Sequence, residues 1–296
     1  MPIIRVYAPD QSPESKGSDP NTAAAVMGAM LVKASEPIEV LPVKPAQEKT
    51  EKTRPGNPNR LTLRQHVFPT RSISRFGNQN GLISVHDLIR KQIFNAKPNN
   101  VIFCADRAWD QRTEREMKTI EDRFQSLVAP VVAGLSKTIP QDQREIIDQM
   151  YALWFMRPRY RELTQQEIHL HGGVGSKLTK GQEENLETNG YLFVREGGAM
   201  PARQLNGLQI MLRVYGYARD LEKSIKRWGV IEAHSGEFIV PDIPFHTILP
   251  ITPRLALVNL EQDGQITEQN LAQINQAMKA NSQSYFFARD LSNCPL

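Results

Sequence analysis

The chain has 296 residues, 40% of them apolar and 23% charged, enough for one large domain or two small ones and close to ordinary globular usage. Its 36 Lys and Arg outnumber 32 Asp and Glu by four, an excess too small to indicate a nucleic-acid partner by itself. Two cysteines, Cys104 and Cys294, exclude a disulfide framework or a four-thiolate zinc site within one chain and fit reduced thiols in a cytoplasmic setting.

The start, MPIIRVYAPD, lacks a basic region followed by a long apolar run, so neither a secretory leader nor a membrane partner is expected. Nine of the 20 prolines fall between Pro2 and Pro58, where Tyr7 is the only aromatic residue. Such a segment buries too little apolar area to offset its ordering entropy. A flexible tail is therefore expected over residues 1–59 and a single domain over 60–296. Within the tail, Ala23–Lys33 has the apolar spacing of a short helix that either frays or docks.

From Lys52 to His86 there is no acidic residue, while Lys52, Arg54, Arg60, Arg64, Arg71 and Arg75 all fall in this window. With His66 and Phe68 interleaved, the run has the pattern of a strip that follows a phosphate backbone. A solvated loop whose arginines pair with carboxylates elsewhere is the other reading. Gly77–Asn78–Gln79–Asn80–Gly81 carries a hairpin-turn signal, and Leu82, Ile83 and Val85 suit a strand after it. The stretch from Arg64 to Leu88, with His66, Pro69 and Phe76, resembles the opening of a bacterial family catalogued as domain of unknown function 4238. The activity of that family is undescribed, so the resemblance implies an arrangement of residues rather than a reaction.

The middle is helical by period. Thr113 and Glu116 form a capping-box pattern ahead of Met117, Ile120, Phe124, Leu127, Val128 and Val131, with Pro130 and Gly134 marking the end. Pro140 opens a second helix through Ile146, Ile147, Met150, Leu153 and Trp154, expected to finish before Pro158. Arg157 and Arg159 then fall at a helix C-terminus, where cations complement free carbonyls or form a fork for a phosphate or carboxylate. The family resemblance extends here, to a central Glu at Glu121 and a near match at Arg157–Pro158–Arg159.

Gln166–Arg203 is the least regular part and is expected to be a mobile loop. Its His169–Leu170–His171 pair has no third ligand in local register, so no metal is assigned, and its glycines follow a helix rather than the strand of a phosphate cradle. A long helix is expected over about Gln204–Lys226, with Leu205, Leu208, Met211, Leu212, Tyr215, Leu221 and Ile225 as its stripe. In WGVIEAHSGEFIV two strand-like runs flank His234–Ser235–Gly236–Glu237, a hairpin connection with Trp228 and Phe238 in the core.

This block and its continuation resemble the same family at Trp228, Phe238, Ile239, Asp242, Pro244, Pro250 and Pro253. The chain departs from the family at Pro241 and Ile243, where Ser and Asn are usual, and at Val240, where Thr is usual. If the family motif is a polar site, those losses weaken it here. Asp242 either bonds neighbouring amides in a turn or presents a carboxylate at a strand end. Thr267, Leu271, Ile274 and Met278 fit a closing helix, with Asn275 matching the family, and Tyr285–Ala288 a final strand.

The expected fold is α+β, a helical middle packed on a mainly antiparallel sheet formed by the early and late segments. Two function classes follow. One is a binding protein whose basic face takes nucleic acid, another phosphate-bearing ligand or an acidic partner through Arg71, Arg75, Arg157 and Arg159. The other is a hydrolase or nuclease-like enzyme with His66, Glu121 and Asp242 as catalytic candidates. No cofactor is expected, and the oligomeric state is left open. There is no HExxH, CxxC or P-loop in the sequence.

Overall fold

The computed structural model of the chain describes residues 6–7, 51–161, 167–170, 175–260 and 262–296. The Ala23–Lys33 segment, His171 and the glycines at 172 and 173 lie outside them. The fold is α+β, with the apolar periodicities of the sequence resolved into helices and mostly antiparallel strands.

The strands are β1 (Val6–Tyr7), β2 (Arg64–His66), β3 (Ile83–Asp87), β4 (Gln92–Ala96), β5 (Cys104–Asp106), β6 (Ile168–His169) and β7 (Ala199–Met200), followed by β8 (Trp228–Ala233), β9 (Val240–Pro241), β10 (Ile248–Pro250), β11 (Leu255–Asn259), β12 (Gly264–Ile266) and β13 (Tyr285–Ala288). The helices are α1 (Thr70–Ser74), α2 (Gln111–Val132), α3 (Arg144–Arg161), α4 (Lys180–Thr188), α5 (Ala202–Ser224) and α6 (Glu268–Asn281).

Among the described residues, the early and late segments build three sheets rather than one, the smallest being the β2-β5 pair. A five-stranded sheet runs β1-β12-β8-β11-β10, with β12 parallel to β8 and the other pairs antiparallel. A four-stranded sheet runs β4-β3-β13-β9. Successive residues of β13 face opposite ways, as strand geometry requires. Tyr285 and Phe287 join the larger core with Trp154, Phe68 and Phe103, while Phe286 and Ala288 join a second core with Leu271, Ile274 and Met278 of α6.

Both expected hairpins are absent, for a local reason in each case. At Gly77–Gly81 the turn leads from α1, not from a strand. Asn78 Oδ1 accepts from the amides of Asn80 and Leu82, so the side chain sets the turn. At His234–Glu237 the chain leaves one sheet and enters the other. Strand β8 pairs with β11 and β12, and β9 pairs with β13. The switch is fixed by polar side chains: Asn275 Oδ1 accepts from Ile239 N and its Nδ2 donates to Glu237 O, while Arg289 pairs with the buried Glu237.

Helix α2 is capped three residues ahead of the expected cap at Thr113, by Asp110 Oδ1 accepting from Thr113 N at 3.0 Å. Helix α3 does not stop before Pro158 but runs through it to Arg161. A proline one turn from the end forfeits a single i→i−4 bond, which the burial of Met156, Arg157 and Tyr160 around it offsets. The buried face of α5 is rotated from the expected stripe: Ile210, Met211, Val214, Ala218 and Leu221 are buried, whereas Leu212 and Tyr215 are exposed.

Residues 51–59, within the expected tail, are bonded to the rest of the fold. Glu51 pairs with Lys180, Arg195 and Arg203, Arg54 pairs with the buried Glu184, and Asn59 also donates to Glu184. Residues 51–59 are therefore tied to α4 and the start of α5. Strand β1, inside the expected tail, pairs with β12 at a sheet edge. Limited proteolysis is expected to leave a fragment that begins at or before Glu51. A chain started at Arg60 should lose at least about 1 kcal/mol, roughly 2–4 °C in melting temperature. An unchanged melting temperature would show that these ion pairs contribute nothing.

Candidate functional site

The polar residues singled out by sequence converge in part, on a cleft between α1 and α2. Strand β2 pairs with β5, placing His66 opposite Cys104, and Val67 N then bonds Phe103 O. Pro69, with φ −57°, turns the chain into α1, which buries Ser72 and Ile73 and leaves Arg71 in solvent. Gln125 of α2 ties the two helices together: its Nε2 donates to Ser72 Oγ at 2.9 Å and its Oε1 accepts from Arg75 Nη2.

On α2, Glu114, Lys118, Glu121, Asp122 and Gln125 recur at helical spacing and share one face. With Thr70 and Arg71 they line a cavity of ≈ 350 Å³. Behind it lies Arg157, only 1% exposed, which donates from Nη1 to Glu121 Oε1 at 2.5 Å. Its Nε lies 3.2 Å from Met117 Sδ and its guanidinium 5.7 Å from the centre of the buried Trp109 ring. Trp109 Nε1 donates to Glu114 Oε2 at 2.6 Å. Burial pushes the Glu114 carboxyl above its usual range, and Arg157 and the indole bond act against that shift.

His66 stands beside this group. Its Nε2 lies 3.1 Å from Pro98 O, a carbonyl that only accepts, so Nε2 carries the proton. Burial depresses its pKa; the Pro98 contact and Glu121 oppose that shift and Arg157 adds to it. Arg75 is held down to about 10 by burial and by the neighbouring Arg71, and stays cationic at neutral pH. Its Nη1 is buried without a partner among the described residues.

Three expectations do not hold at this cleft. Asp242 is not among the residues that line the cavity. Its Oδ1 and Oδ2 accept from Gln283 N and Ser284 N at 2.9 and 2.7 Å, joining β9 to the turn before β13. The arginine acting on it is Arg161. Arg159 folds back on its own helix, bonding Phe155 O, with its guanidinium 3.6 Å from the centre of the Phe155 ring. Phe68 is 1% exposed against Trp154 and Phe287, so it offers no stacking platform to a nucleobase.

Two other polar clusters compare with the cleft. Around α4, four cations (Arg107, Lys180, Arg195 and Arg203) meet four carboxylates (Glu51, Glu167, Glu183 and Glu187). Burial works to raise the Glu51 carboxyl, but Arg203, Lys180 and Arg195 overcome it and hold it at about 2. Near the sheet switch, a cavity of ≈ 430 Å³ holds Ser235, Glu237, Arg254, Glu268, Arg289 and Cys294. There Arg289 pairs with Glu237, Ser235 bonds Glu268, and Arg254 caps the carbonyls of Ala233 and His234. Burial pushes the Cys294 thiol up to about 12, so it is not a nucleophile at neutral pH. The α4 cluster is charge-matched internally, and the charged groups of the second cavity are bonded to one another, to Ser235 or to backbone carbonyls. In the α1–α2 cleft, Glu121 and Asp122 are paired, whereas Arg71 and Glu114 have no ion-pair partner among the described residues.

Among the described residues, no helix is long and apolar enough to cross a membrane, and no group of three or more His, Cys, Asp or Glu is placed to hold a metal ion. No family model, curated protein or solved structure matches the chain.

Proposed function

We propose that this protein binds a phosphate-bearing ligand in the α1–α2 cleft, with Arg71 as the anion contact in its wall and Arg75 and Lys118 adding positive charge beside it. The observation that carries this reading is the state of the two arginines. They sit one turn apart, Arg71 on α1 and Arg75 at its C-terminal cap, and each lacks a carboxylate partner among the described residues. Burial, and after it Arg71, depress the pKa of Arg75, and a bound anion would relieve the like-charge contact. The size of the cavity favours a small molecule, or one nucleotide of a strand, over a duplex.

The resemblance to the family of unknown function belongs to this reading. Its matched residues His66, Glu121 and Arg157 come from three distant segments and lie beside the same cleft, which supports a shared site. A cytoplasmic setting belongs to it as well, since Cys104 and Cys294 are both free and buried. The hydrolase alternative keeps His66 and the carboxylates of α2, without Asp242 in the cavity lining.

Arg71→Ala, at an exposed position, is expected to weaken binding of inorganic phosphate and of a nucleoside monophosphate by about tenfold. Affinity should fall between 50 and 200 mM salt in the wild type and less steeply in the variant. Arg159→Ala, outside the cleft, should leave the affinity unchanged. Titration calorimetry reads all three, and equal affinities for wild type and Arg71→Ala would remove the assignment.

A further inference from the structure

Within that reading, the unpaired groups of the cleft specify the ligand further. Of the three carboxylates in its wall, Glu121 is paired with Arg157 and Asp122 with Lys118. Glu114 has no cation at salt-bridge distance among the described residues; one oxygen accepts from the Trp109 indole and nothing described bonds the other. Among the described residues, the same cavity therefore exposes one carboxylate, Glu114, without a salt-bridge cation and one guanidinium, Arg71, without an anion, while Arg75 lies outside its lining, bonded to Gln125.

We propose that the ligand is zwitterionic, a small aminoalkyl phosphate whose phosphate lies on Arg71, with the Arg75 charge close behind it, and whose ammonium lies on Glu114. The assignment rests on the phosphate reading above and adds the second charge. A plain phosphate satisfies the arginines but sits near the unpaired Glu114 and is repelled by it. A plain amine satisfies Glu114 but meets Arg71 and Lys118. A ligand with both charges removes both mismatches at once, and in a half-buried cavity each contact is worth more than in water.

The spacing fits. Glu114 is one helical turn from Lys118, about 5–6 Å along the axis, and Arg71 acts electrostatically on Lys118 from across the cleft. A two- or three-carbon linker between phosphate and amine covers such a span. The half-burial of Glu114 gives a second signature. Its carboxyl takes up a proton at higher pH than an exposed one, so the preference for an amine fades on mild acidification.

The test is titration calorimetry of the full chain with three probes: inorganic phosphate, ethyl phosphate and phosphoethanolamine. The last two differ only by the amine. Phosphoethanolamine is expected to bind about tenfold more tightly than ethyl phosphate at neutral pH, with the ratio shrinking toward pH 5. Glu114→Gln keeps an oxygen for the indole and should abolish the ratio, weakening phosphoethanolamine and strengthening ethyl phosphate. Equal affinities for these two probes in the wild type overturn the zwitterion while leaving phosphate binding in place. No binding of any of the three overturns both. The probe pair decides the matter even where Glu114→Gln fails to fold.

Discussion

Trp228→Ala is expected to lower the unfolding free energy by about 3–5 kcal/mol, the range for removing a large aromatic side chain from a packed core. Trp228 is 0% exposed at the start of β8, 5.8 Å from the ring of Tyr151 in α3. It therefore joins the five-stranded sheet to the helical layer, and alanine leaves a cavity at that junction. A polar effect adds to the cavity. The indole Nε1 donates to Asp148 Oδ1 at 2.7 Å, and Asp148 Oδ2 is buried without a partner among the described residues. Burial already pushes the Asp148 carboxyl up to about 6, and the indole bond opposes that shift. A carboxyl raised in the folded state favours folding while protonated, and that stability is lost as pH rises through its folded pKa. Without the indole the shift grows, so the deficit of the variant should be larger at pH 8 than at pH 5. Trp228→Phe fills most of the volume and should keep the pH dependence with a smaller overall loss. Urea denaturation at the two pH values reads both effects, and an unchanged midpoint for the alanine variant would contradict the core placement.

Where structure is set by neighbours in sequence, the chain was legible. The stripe Met117, Ile120, Phe124, Leu127, Val128 and Val131 is the buried face of α2, and Leu271, Ile274 and Met278 that of α6. The α+β class follows from those periods and the β-rich ends. Errors arose where a distant side chain decides the outcome. His234–Glu237 has the composition of a hairpin, but Asn275 and Arg289 hold it as a passage between sheets. Leu212 and Tyr215 sit on an apolar period of α5, yet the packing of Ile210, Val214 and Ala218 turns them outward. Helix α4 falls in the stretch expected to be a loop: Thr179 and Gln182 spell its capping box, but the glycines and histidines around it carry the opposite signal.

The cleft was half legible for a similar reason. His66, Arg71, Arg75, Glu121 and Arg157 drew notice as unusual polar residues near turns and helix ends. Glu114, Lys118 and Gln125 did not, because they read as the ordinary solvated face of an amphipathic helix. Only the approach of α1, through the Gln125–Ser72 bond, turns that face into a wall. Arg159 shows the converse. Its spacing from Arg157 suggested a fork, but two residues along a helix are about 200° apart, so the side chains leave in opposite directions.

The ion-pair cluster around α4 has no sequence signature at all, and it yields the second large expected effect. Arg203→Met should cost about 3–5 kcal/mol, the range for removing one partner of a buried pair. Arg203 is 2% exposed and donates to Glu187, itself 3% exposed, and to Glu51. Methionine fills the site but leaves Glu187 with Arg107 alone and Glu51 without its strongest cation. The acid side gives an independent check. The folded pKa of Glu51, about 2, lies below its ordinary value, so its contribution is present above the ordinary pKa and fades as pH falls toward 2. In Arg203→Met that acid-sensitive part should shrink, and the two proteins should converge in stability as the pH is lowered. Residues 51–59 should also become the first point of protease attack, since Glu51 and Arg54 are what tie them to α4. Equal denaturation midpoints at neutral pH would mean that the cluster sets the position of this segment without adding to stability.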